Sequence, residues 1–247
     1  MELQLQNWEN FCRYQATGDW HGTWTRYSPQ GEVLASFQCI RSLQTSKDGS
    51  EINHQNHYTY ADGKNETKTF GPYKKPNTRA LFLDNSFSWG STQVESGSTF
   101  GFETGFRYED KRATLGVMYN DSGSLQQITV ISEQLGSFAK EPPRSPNHEF
   151  TGNWQGTRKT MTPDFSVSPP EVTSWQRLDD LGEDYLTLHF PDGTWVSCPQ
   201  RVETGTHFFM AVDWLINPAL LLRGIRHYGE SGFTRFTLEE FRPNPLL

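Results

Sequence analysis

One predicted strand carries the residues best suited to chemistry. Between Phe100 and Tyr108, aromatic residues alternate with a second set that contains two glycines, Glu103 and Arg107. Successive side chains of a strand point to opposite faces, so only one set lines the interior of a barrel. If the glycine face is inside, the missing side chains leave room for a ligand. Arg107 and Arg112 can then bind a carboxylate, and a buried Glu103 can act as an acid or base. If the aromatic face is inside, Glu103 and Arg107 form a solvated ion pair worth under about 1 kcal/mol.

A second polar set lies on the strand predicted around His54. Alternation places His54 and Tyr58 on one face and His57 on the other. The first face either contributes His54 and Tyr58 to a polar cavity or belongs to a wet, weakly closed edge. Because His54 and His57 point to opposite faces, their imidazoles cannot bind one metal ion. The sequence also has no P-loop, dinucleotide-binding turn or nucleophile elbow, so it predicts no metal, no nucleotide and no other cofactor.

The strand predicted from His207 to Ile216 repeats the aromatic face of the first strand. A duplicated fold must keep its core, so this recurrence favours aromatic packing inside both copies. His207 and Asp213 share a face but lie roughly 20 Å apart along the strand, too far for a His–Asp dyad, and we interpret them as surface residues. These patterns select two sets of candidates: for catalysis Glu103, His54 and Tyr119, and for ligand binding Arg107, Arg112, Trp89, Tyr58 and Trp214.

The elements that position these residues come in two similar runs. The motif Gly-x-Trp-x-Gly occurs at residues 18–22 and again at residues 152–156, and each copy opens a series of segments separated by turn residues. The repeating unit is therefore a whole small domain. Helical spacing predicts a short helix from Leu3 to Arg13 that plugs one end of a barrel, followed by about eight strands. The proline-containing segment 136–147 predicts a linker to a second copy of about seven or eight strands.

Barrel geometry favours two domains over one. A barrel of some fifteen strands would enclose a lumen that side chains cannot fill, whereas about eight strands enclose a packed core or one small ligand. The sequence thus predicts an all-β protein of two tandem up-and-down barrels, residues 1–140 and 148–247, with a short N-terminal helix. The main alternative is a sandwich or flattened barrel in which both copies contribute to one core.

Composition limits the class of protein and its partners. The chain has 247 residues, of which 14% are aromatic, and a net charge of -7, which repels nucleic acid in the mean. The N-terminus lacks the features of a signal peptide, and no apolar stretch approaches a membrane span, so we expect a cytoplasmic protein. The three cysteines are widely separated, which indicates neither disulfides nor a zinc site.

The paired motifs resemble those of the calycin superfamily of lipocalin-like barrels, in which a Gly-x-Trp motif begins the first strand. This resemblance implies a basic residue packed on each Trp. Arg242 fits that role for Trp154, whereas Glu133 and Gln134 stand at the matching end of the first copy.

Four segments of the first copy resemble, more specifically, a mainly cyanobacterial family that carries only a domain-of-unknown-function label: residues 18–22, 27–31, 100–112 and 118–125. The similarity extends over most of residues 1–140 and, through the duplication, to the rest of the chain. It implies a calycin-type fold and brings no catalytic residues. A more distant relative in the same superfamily is the group of lyases that attach bilin chromophores to light-harvesting proteins.

Three functions are compatible with this fold. The leading hypothesis is binding of a small, largely apolar or amphipathic molecule, such as a pigment, isoprenoid or fatty acid, inside at least the N-terminal barrel. The second is an isomerase, cyclase or chromophore lyase that uses acid–base groups such as Glu103, His54 or Tyr119 on the same scaffold. The third is a scaffold with filled barrels that acts on a client protein through its surface.

Overall fold

A helix and sixteen strands form the part of the chain that the computed structural model describes, residues 1–15, 18–76, 79–140, 153–179 and 181–244. The helix α1 spans Glu2–Gln15. The N-terminal sheet contains nine strands: β1 (Gly18–Tyr27), β2 (Val33–Thr45), β3 (Glu51–Thr59), β4 (Asn65–Lys74), β5 (Leu81–Leu83), β6 (Ser86–Gly90), β7 (Phe100–Tyr108), β8 (Lys111–Tyr119) and β9 (Leu125–Leu135). The C-terminal sheet contains seven: β10 (Trp154–Met161), β11 (Glu171–Ser174), β12 (Tyr185–His189), β13 (Thr194–Pro199), β14 (Phe208–Asn217), β15 (Leu220–Gly229) and β16 (Gly232–Pro243).

Each sheet is an antiparallel meander that curls into a half-barrel. The strand order of the N-terminal sheet is β4-β3-β2-β1-β9-β8-β7-β6-β5, and that of the C-terminal sheet is β11-β10-β16-β15-β14-β13-β12. In each sheet the first strand pairs with the last, β1 with β9 and β10 with β16. The predicted all-β fold with up-and-down strands and a short N-terminal helix is therefore confirmed.

One apolar core lies between the two sheets. It contains Phe102 and Leu115 from the N-terminal sheet together with Met210, Trp214 and Phe236 from the C-terminal sheet. The division into domains at residues 1–140 and 148–247 stays a prediction, and the centre of the predicted linker, residues 141–147, lies outside the described residues. What the structure shows is that the aromatic faces of β7 and β14 pack against each other.

A buried arginine also links the sheets. Arg226 of β15 is 2% exposed and donates hydrogen bonds to the hydroxyls of Ser88, at 3.1 Å, and Tyr228, at 2.9 Å. The Tyr228 hydroxyl in turn donates to the carbonyl of Ser91. Polar groups buried at this junction are thereby paired, which removes the cost of leaving them without water.

The helix α1 covers the free edge of β5. The side-chain oxygen of Asn7 accepts the backbone N–H of Phe82, and its amide donates to the carbonyl of Ala80. The amide of Asn10 donates to the carbonyl of Phe82 at 2.9 Å. These bonds replace the strand neighbour that an edge strand lacks. The predicted helix at Leu3–Arg13 is confirmed.

Candidate functional site

The candidate site lies on the face of the N-terminal sheet that is turned toward α1. Residues from strands at opposite ends of the sheet, Ile52 of β3 and Phe82 of β5, belong to one cluster with Trp8 and Phe11 of the helix. This face is therefore concave, and we call it the concave face. The helix packs against one end of the concave face, where Phe11 contacts both Tyr73 of β4 and Phe82 of β5.

A buried ion pair forms the floor of the concave face. Nε and Nη2 of Arg112 donate to Oε2 of Glu133 at 3.0 and 2.7 Å, and both side chains are fully buried. The guanidinium of Arg112 also lies 3.9 Å from the ring centroid of Trp20 and donates to the side-chain oxygen of Gln15. Three hydrogen bonds and a ring contact thus compensate for the desolvation of Arg112.

Trp20 packs on a basic residue, as the resemblance implied, and this residue is Arg112 of β8, which lies opposite Glu133 in register. Gly22 makes this arrangement possible, since a Cβ at that position would lie 2.5 Å from Cγ of Glu133. The prediction for the second copy was wrong. Arg242 is exposed and pairs with Glu240 on the surface.

Arg41 stands above the floor and is partly open to solvent. Its side chain is 12% exposed, its Nε lies 3.4 Å from Oε1 of Glu133, and its guanidinium lies over the ring of Trp24 at 5.1 Å. The charges of Glu133 and Glu103 raise the pKa of Arg41 despite its burial. Sequence reasoning missed Arg41. Its signal was a charged residue between the apolar Cys39 and Leu43 on one face of a strand.

Glu103 approaches the same group from β7. In register it lies between Trp89 of β6 and Gly116 of β8, and its Cγ would be 3.4 Å from a Cβ added to Gly116. Burial raises the pKa of Glu103, an effect that the positive charge of Arg41 opposes and the negative charge of Glu133 reinforces. A neutral carboxylic acid beside a guanidinium can donate a hydrogen bond as well as accept one.

His54 belongs to a hydrogen-bonded chain on the same face. Its Nε2 lies 2.8 Å from Oδ1 of Asn56, its Nδ1 lies 3.0 Å from the hydroxyl of Tyr73, and the amide of Asn56 donates to the hydroxyl of Tyr58. Burial, and then the charge of Arg41, lower the pKa of His54 to about 3. The neutral imidazole thus donates to Asn56 and accepts from Tyr73.

The predicted space beside the glycines of β7 is occupied. A Cβ at Gly105 would collide with Phe87, Thr114 and Tyr14, and one at Gly101 would lie 2.6 Å from the sulfur of Met118. These glycines let neighbouring side chains approach the strand and leave no vacant volume. The prediction of a solvated Glu103–Arg107 ion pair was also wrong, since Glu103 faces Arg41 and no such pair occurs within the described residues.

The remaining predicted residues lie in four places. Arg107 donates to the carbonyls of Arg13 and Glu109 and so binds the end of α1. Tyr119 lies on the opposite face, where its hydroxyl donates to the carbonyl of Pro199 at 2.8 Å. Trp214 belongs to the core between the sheets. Trp89 lies beside Glu103 on the concave face and is 46% exposed. The structure therefore brings Glu103, His54, Tyr58, Arg112 and Trp89 to one face and leaves Tyr119 and Trp214 elsewhere.

Aromatic and apolar side chains surround the open part of the concave face. Trp24, Phe37 and Tyr58 contact one another through their rings. Trp89 and Met118, which is 41% exposed, lie on the same face as Glu103. Exposed large apolar groups next to a few fixed polar groups are typical of binding sites for amphipathic molecules.

Asp213, interpreted from the sequence as a surface residue, is buried. Its two carboxylate oxygens accept from Nε and Nη2 of Arg223 at 2.6 and 3.1 Å.

Among the described residues, no cluster of three or more His, Cys, Asp and Glu side chains is arranged to hold a metal ion. The helix of the described chain falls short of the length and apolarity that a membrane crossing requires.

Fold and site together define an all-β protein with a half-barrel whose concave face carries charged side chains beneath aromatic rings. A family model described as "Domain of unknown function (DUF3598), N-terminal" matches residues 4–138, more than half of the chain. The chain belongs to the DUF3598 family. This confirms the resemblance of its first copy to a family of unknown function. Residues 177–239 match a second model, the C-terminal domain of "Biogenesis factor required for ATP synthase 1".

A solved structure with the same fold comes from Nostoc punctiforme and is described as a protein of unknown function from the DUF3598 family. It is 24% identical, the match covers 96% of this chain and 99% of that one, and the TM-score is 0.78. Two further matches carry no argument because their TM-scores are 0.23 and 0.29. They are kievitone hydratase from Nectria haematococca (9% identity, 92% and 89% coverage) and a putative outer membrane protein from Bacteroides fragilis (10% identity, 92% and 98% coverage). No curated protein matches the chain.

Proposed function

We propose that the protein binds a small amphipathic molecule on the concave face of its N-terminal sheet. The observation that carries this proposal is Arg41, a guanidinium that is partly exposed between the ring of Trp24 and the carboxyl of Glu103. An acidic or strongly polar end of the ligand binds Arg41 through charge-assisted hydrogen bonds. The apolar part lies against Trp24 and Trp89.

The electrostatics of the floor support an acidic ligand. Arg112 is neutralised by Glu133 at hydrogen-bonding distance, whereas Arg41 is 3.4 Å from the same carboxylate and makes a weaker contact. A ligand carboxylate can therefore receive hydrogen bonds from Arg41.

Titration with the fluorescent fatty acid cis-parinarate tests this proposal. Wild-type protein should bind it, and Arg41→Gln should weaken binding about tenfold or more, because one charge-assisted contact is lost. The matched control is Arg158→Gln on β10, whose side chain pairs with Glu171 on the surface, and it should bind as the wild type does. Equal binding by both variants would contradict the assignment of Arg41.

Trp89→Ala tests the apolar half of the site separately. This side chain is 46% exposed, so its removal should leave folding intact and weaken cis-parinarate binding several-fold through lost apolar contact. Val172→Ala, at a residue 83% exposed on β11, is the control for loss of an exposed apolar group. If Trp89→Ala and Val172→Ala bind cis-parinarate with the same affinity, the acyl chain does not lie against Trp89.

Catalysis on the same face is a second candidate, favoured by two groups with shifted pKa values. The pKa of Glu103 is raised and that of His54 is lowered to about 3, so a carboxyl group with a shifted pKa and a neutral imidazole lie near Arg41. An enzyme would convert its bound ligand into a product of altered mass or absorption spectrum. Glu103→Gln should then retain binding and abolish conversion.

A client protein as partner is supported by the match of residues 177–239 to a domain of a biogenesis factor for ATP synthase. In this role the C-terminal sheet would contact an assembling subunit. Deletion of the gene should lower the amount of assembled ATP synthase on native gels, and unchanged assembly would contradict the role.

A further inference from the structure

A cleft of about 550 Å³ lies between the two sheets, away from the concave face. Its floor is the outer face of β1, β8 and β9, where Ala113 and Val130 present small side chains. The turn between β12 and β13 borders it on the C-terminal side, and a hydrogen bond from Ser132 to Asp192 joins the two sides. Clefts of this volume at the junction of two structural units are common ligand sites.

Aromatic rings form two sides of this intersheet cleft. On one side, the ring of Phe138 meets that of His21 edge to face, with centroids 4.9 Å apart. On the other side, Trp214 and Pro191 line the cleft, and Tyr27 packs on Phe190 nearby. A flat ring between these sides would meet aromatic surface on both faces.

Two of the charged groups that line the intersheet cleft are lysines. Lys111 and Lys140 line the cleft, and neither forms an ion pair within the described residues. The carboxylate of Asp192 already accepts three hydrogen bonds, one from the hydroxyl of Ser132 and two from the backbone N–H and the hydroxyl of Thr194. The Nδ1 atom of His21 is buried and has no hydrogen-bond partner among the described residues. The positive charges of Lys111 and Lys140 therefore border the space between the rings.

We propose that the intersheet cleft is a second binding site, specific for a flat aromatic acid. The ring system stacks between Phe138 and Trp214, and the acidic group binds the ammonium groups of Lys111 and Lys140. The four residues that bind this ligand, Phe138, Trp214, Lys111 and Lys140, lie away from the concave face, although Arg112 and Glu133 border both sites.

Calorimetric titration with 2-naphthoate tests the location of this site. Thr23→Trp places a large ring at an exposed position on the edge of the cleft, where it blocks entry without disturbing the core. Thr69→Trp, at an exposed position on β4, is the matched control. Wild type and Thr69→Trp should bind 2-naphthoate, and Thr23→Trp should bind at least about tenfold more weakly.

Charge is tested with the double variant Lys111→Met, Lys140→Met and with the neutral analogue 2-naphthalenemethanol. The double variant should bind 2-naphthoate about tenfold more weakly, and wild type should prefer the acid over the alcohol. Arg41→Gln should bind 2-naphthoate normally, which separates this site from the concave face. Absence of binding to wild type, equal binding by both Trp variants, or equal affinity for acid and alcohol would overturn the proposal.

Discussion

The surroundings of Trp20 and Trp154 show how the N-terminal and C-terminal sheets differ. Trp20 packs against a charged group, the guanidinium of Arg112, with Glu133 opposite Gly22 in register. Trp154 packs in an apolar cluster with Trp195, Leu215, Leu221 and Phe241, and Phe241 is the residue opposite Gly156. The same glycine position therefore faces a carboxylate in one sheet and a phenyl ring in the other.

This difference explains why the candidate site lies in the N-terminal half. On the concave face, Arg41 and Glu103 lie next to the buried Arg112–Glu133 pair, and their polar groups can contact a ligand. In the C-terminal sheet Arg223 pairs with Asp213 at 2.6 Å and also donates to the carbonyl of Gln176. The rings of Trp175 and Phe241 lie beside its guanidinium. The N-terminal sheet thus carries the groups proposed for binding, whereas the C-terminal sheet packs closed around its own buried pair.

Loss of the charged floor should have the largest effect on stability. Glu133→Gln leaves the buried guanidinium of Arg112 without a carboxylate, and we expect the free energy of unfolding to fall by about 3–5 kcal/mol. Urea denaturation measures this change. Glu171→Gln removes the partner of the exposed Arg158 and should cost under about 1 kcal/mol. Similar losses in both variants would mean that the floor contributes no more than a surface pair.

Separation of α1 from β5 should have the next largest effect. Asn7→Ala leaves the N–H of Phe82 and the carbonyl of Ala80 without their side-chain partner, which costs about 1–3 kcal/mol. Hydrogen exchange of the Phe82 amide should accelerate at the same time. Gln4→Ala, at an exposed position on the same helix, is the control, and unchanged exchange in Asn7→Ala would show that the helix does not protect this edge.

The pH dependence of stability should contain a contribution from His54. Its pKa is about 3 in the folded protein and about 6.5 when unfolded, so the unfolded state binds the proton first as the pH falls. The contribution is complete above pH 6.5 and is lost as the pH falls toward 3. His54→Gln should therefore reduce the slope of stability against pH between 6 and 4 by up to about 1.4 kcal/mol per pH unit.

His57→Gln is the matched control for that experiment, because His57 lies on the opposite, exposed face of β3. Its slope should equal that of the wild type. If the two variants have the same slope, His54 is not held neutral by the concave face.

The smallest effect is expected at Glu103. Because its folded pKa is raised, the stability that its protonated form contributes is present at low pH and is lost as the pH rises. Glu103→Gln should consequently stabilise the protein at pH 7 by under about 1 kcal/mol, and the gain should vanish near pH 4. Thermal unfolding at both pH values measures this. Destabilisation at pH 7 would show that the ionised carboxylate stabilises the fold through Arg41.

Local patterns in the sequence were sufficient to predict the elements. The apolar spacing of residues 3–13 and the alternation from Phe100 to Tyr108 predicted α1 and β7, because each depends only on neighbouring residues. The role of β7 could not be predicted, since alternation does not show that both faces of a strand are covered. One face of β7 packs on the second sheet and the other on α1 and Arg41.

The charged residues of the interior were missed for a related reason. Arg41 stands between Cys39 and Leu43, Glu133 between Ile131 and Leu135, and Asp213 between Ala211 and Leu215. A charge flanked by apolar residues on one strand face is the signal of a buried pair, but the partner lies on another strand and is set by register. Sequence spacing alone therefore identifies one half of each pair.

The most direct test of the central claim is a crystal structure of the protein with dodecanoate bound. The carboxylate should lie about 2.7–3.2 Å from the guanidinium nitrogens of Arg41, with the acyl chain against Trp24 and Trp89 on the concave face. A chain bound in the intersheet cleft or on the C-terminal sheet, with Arg41 unoccupied, would contradict the claim.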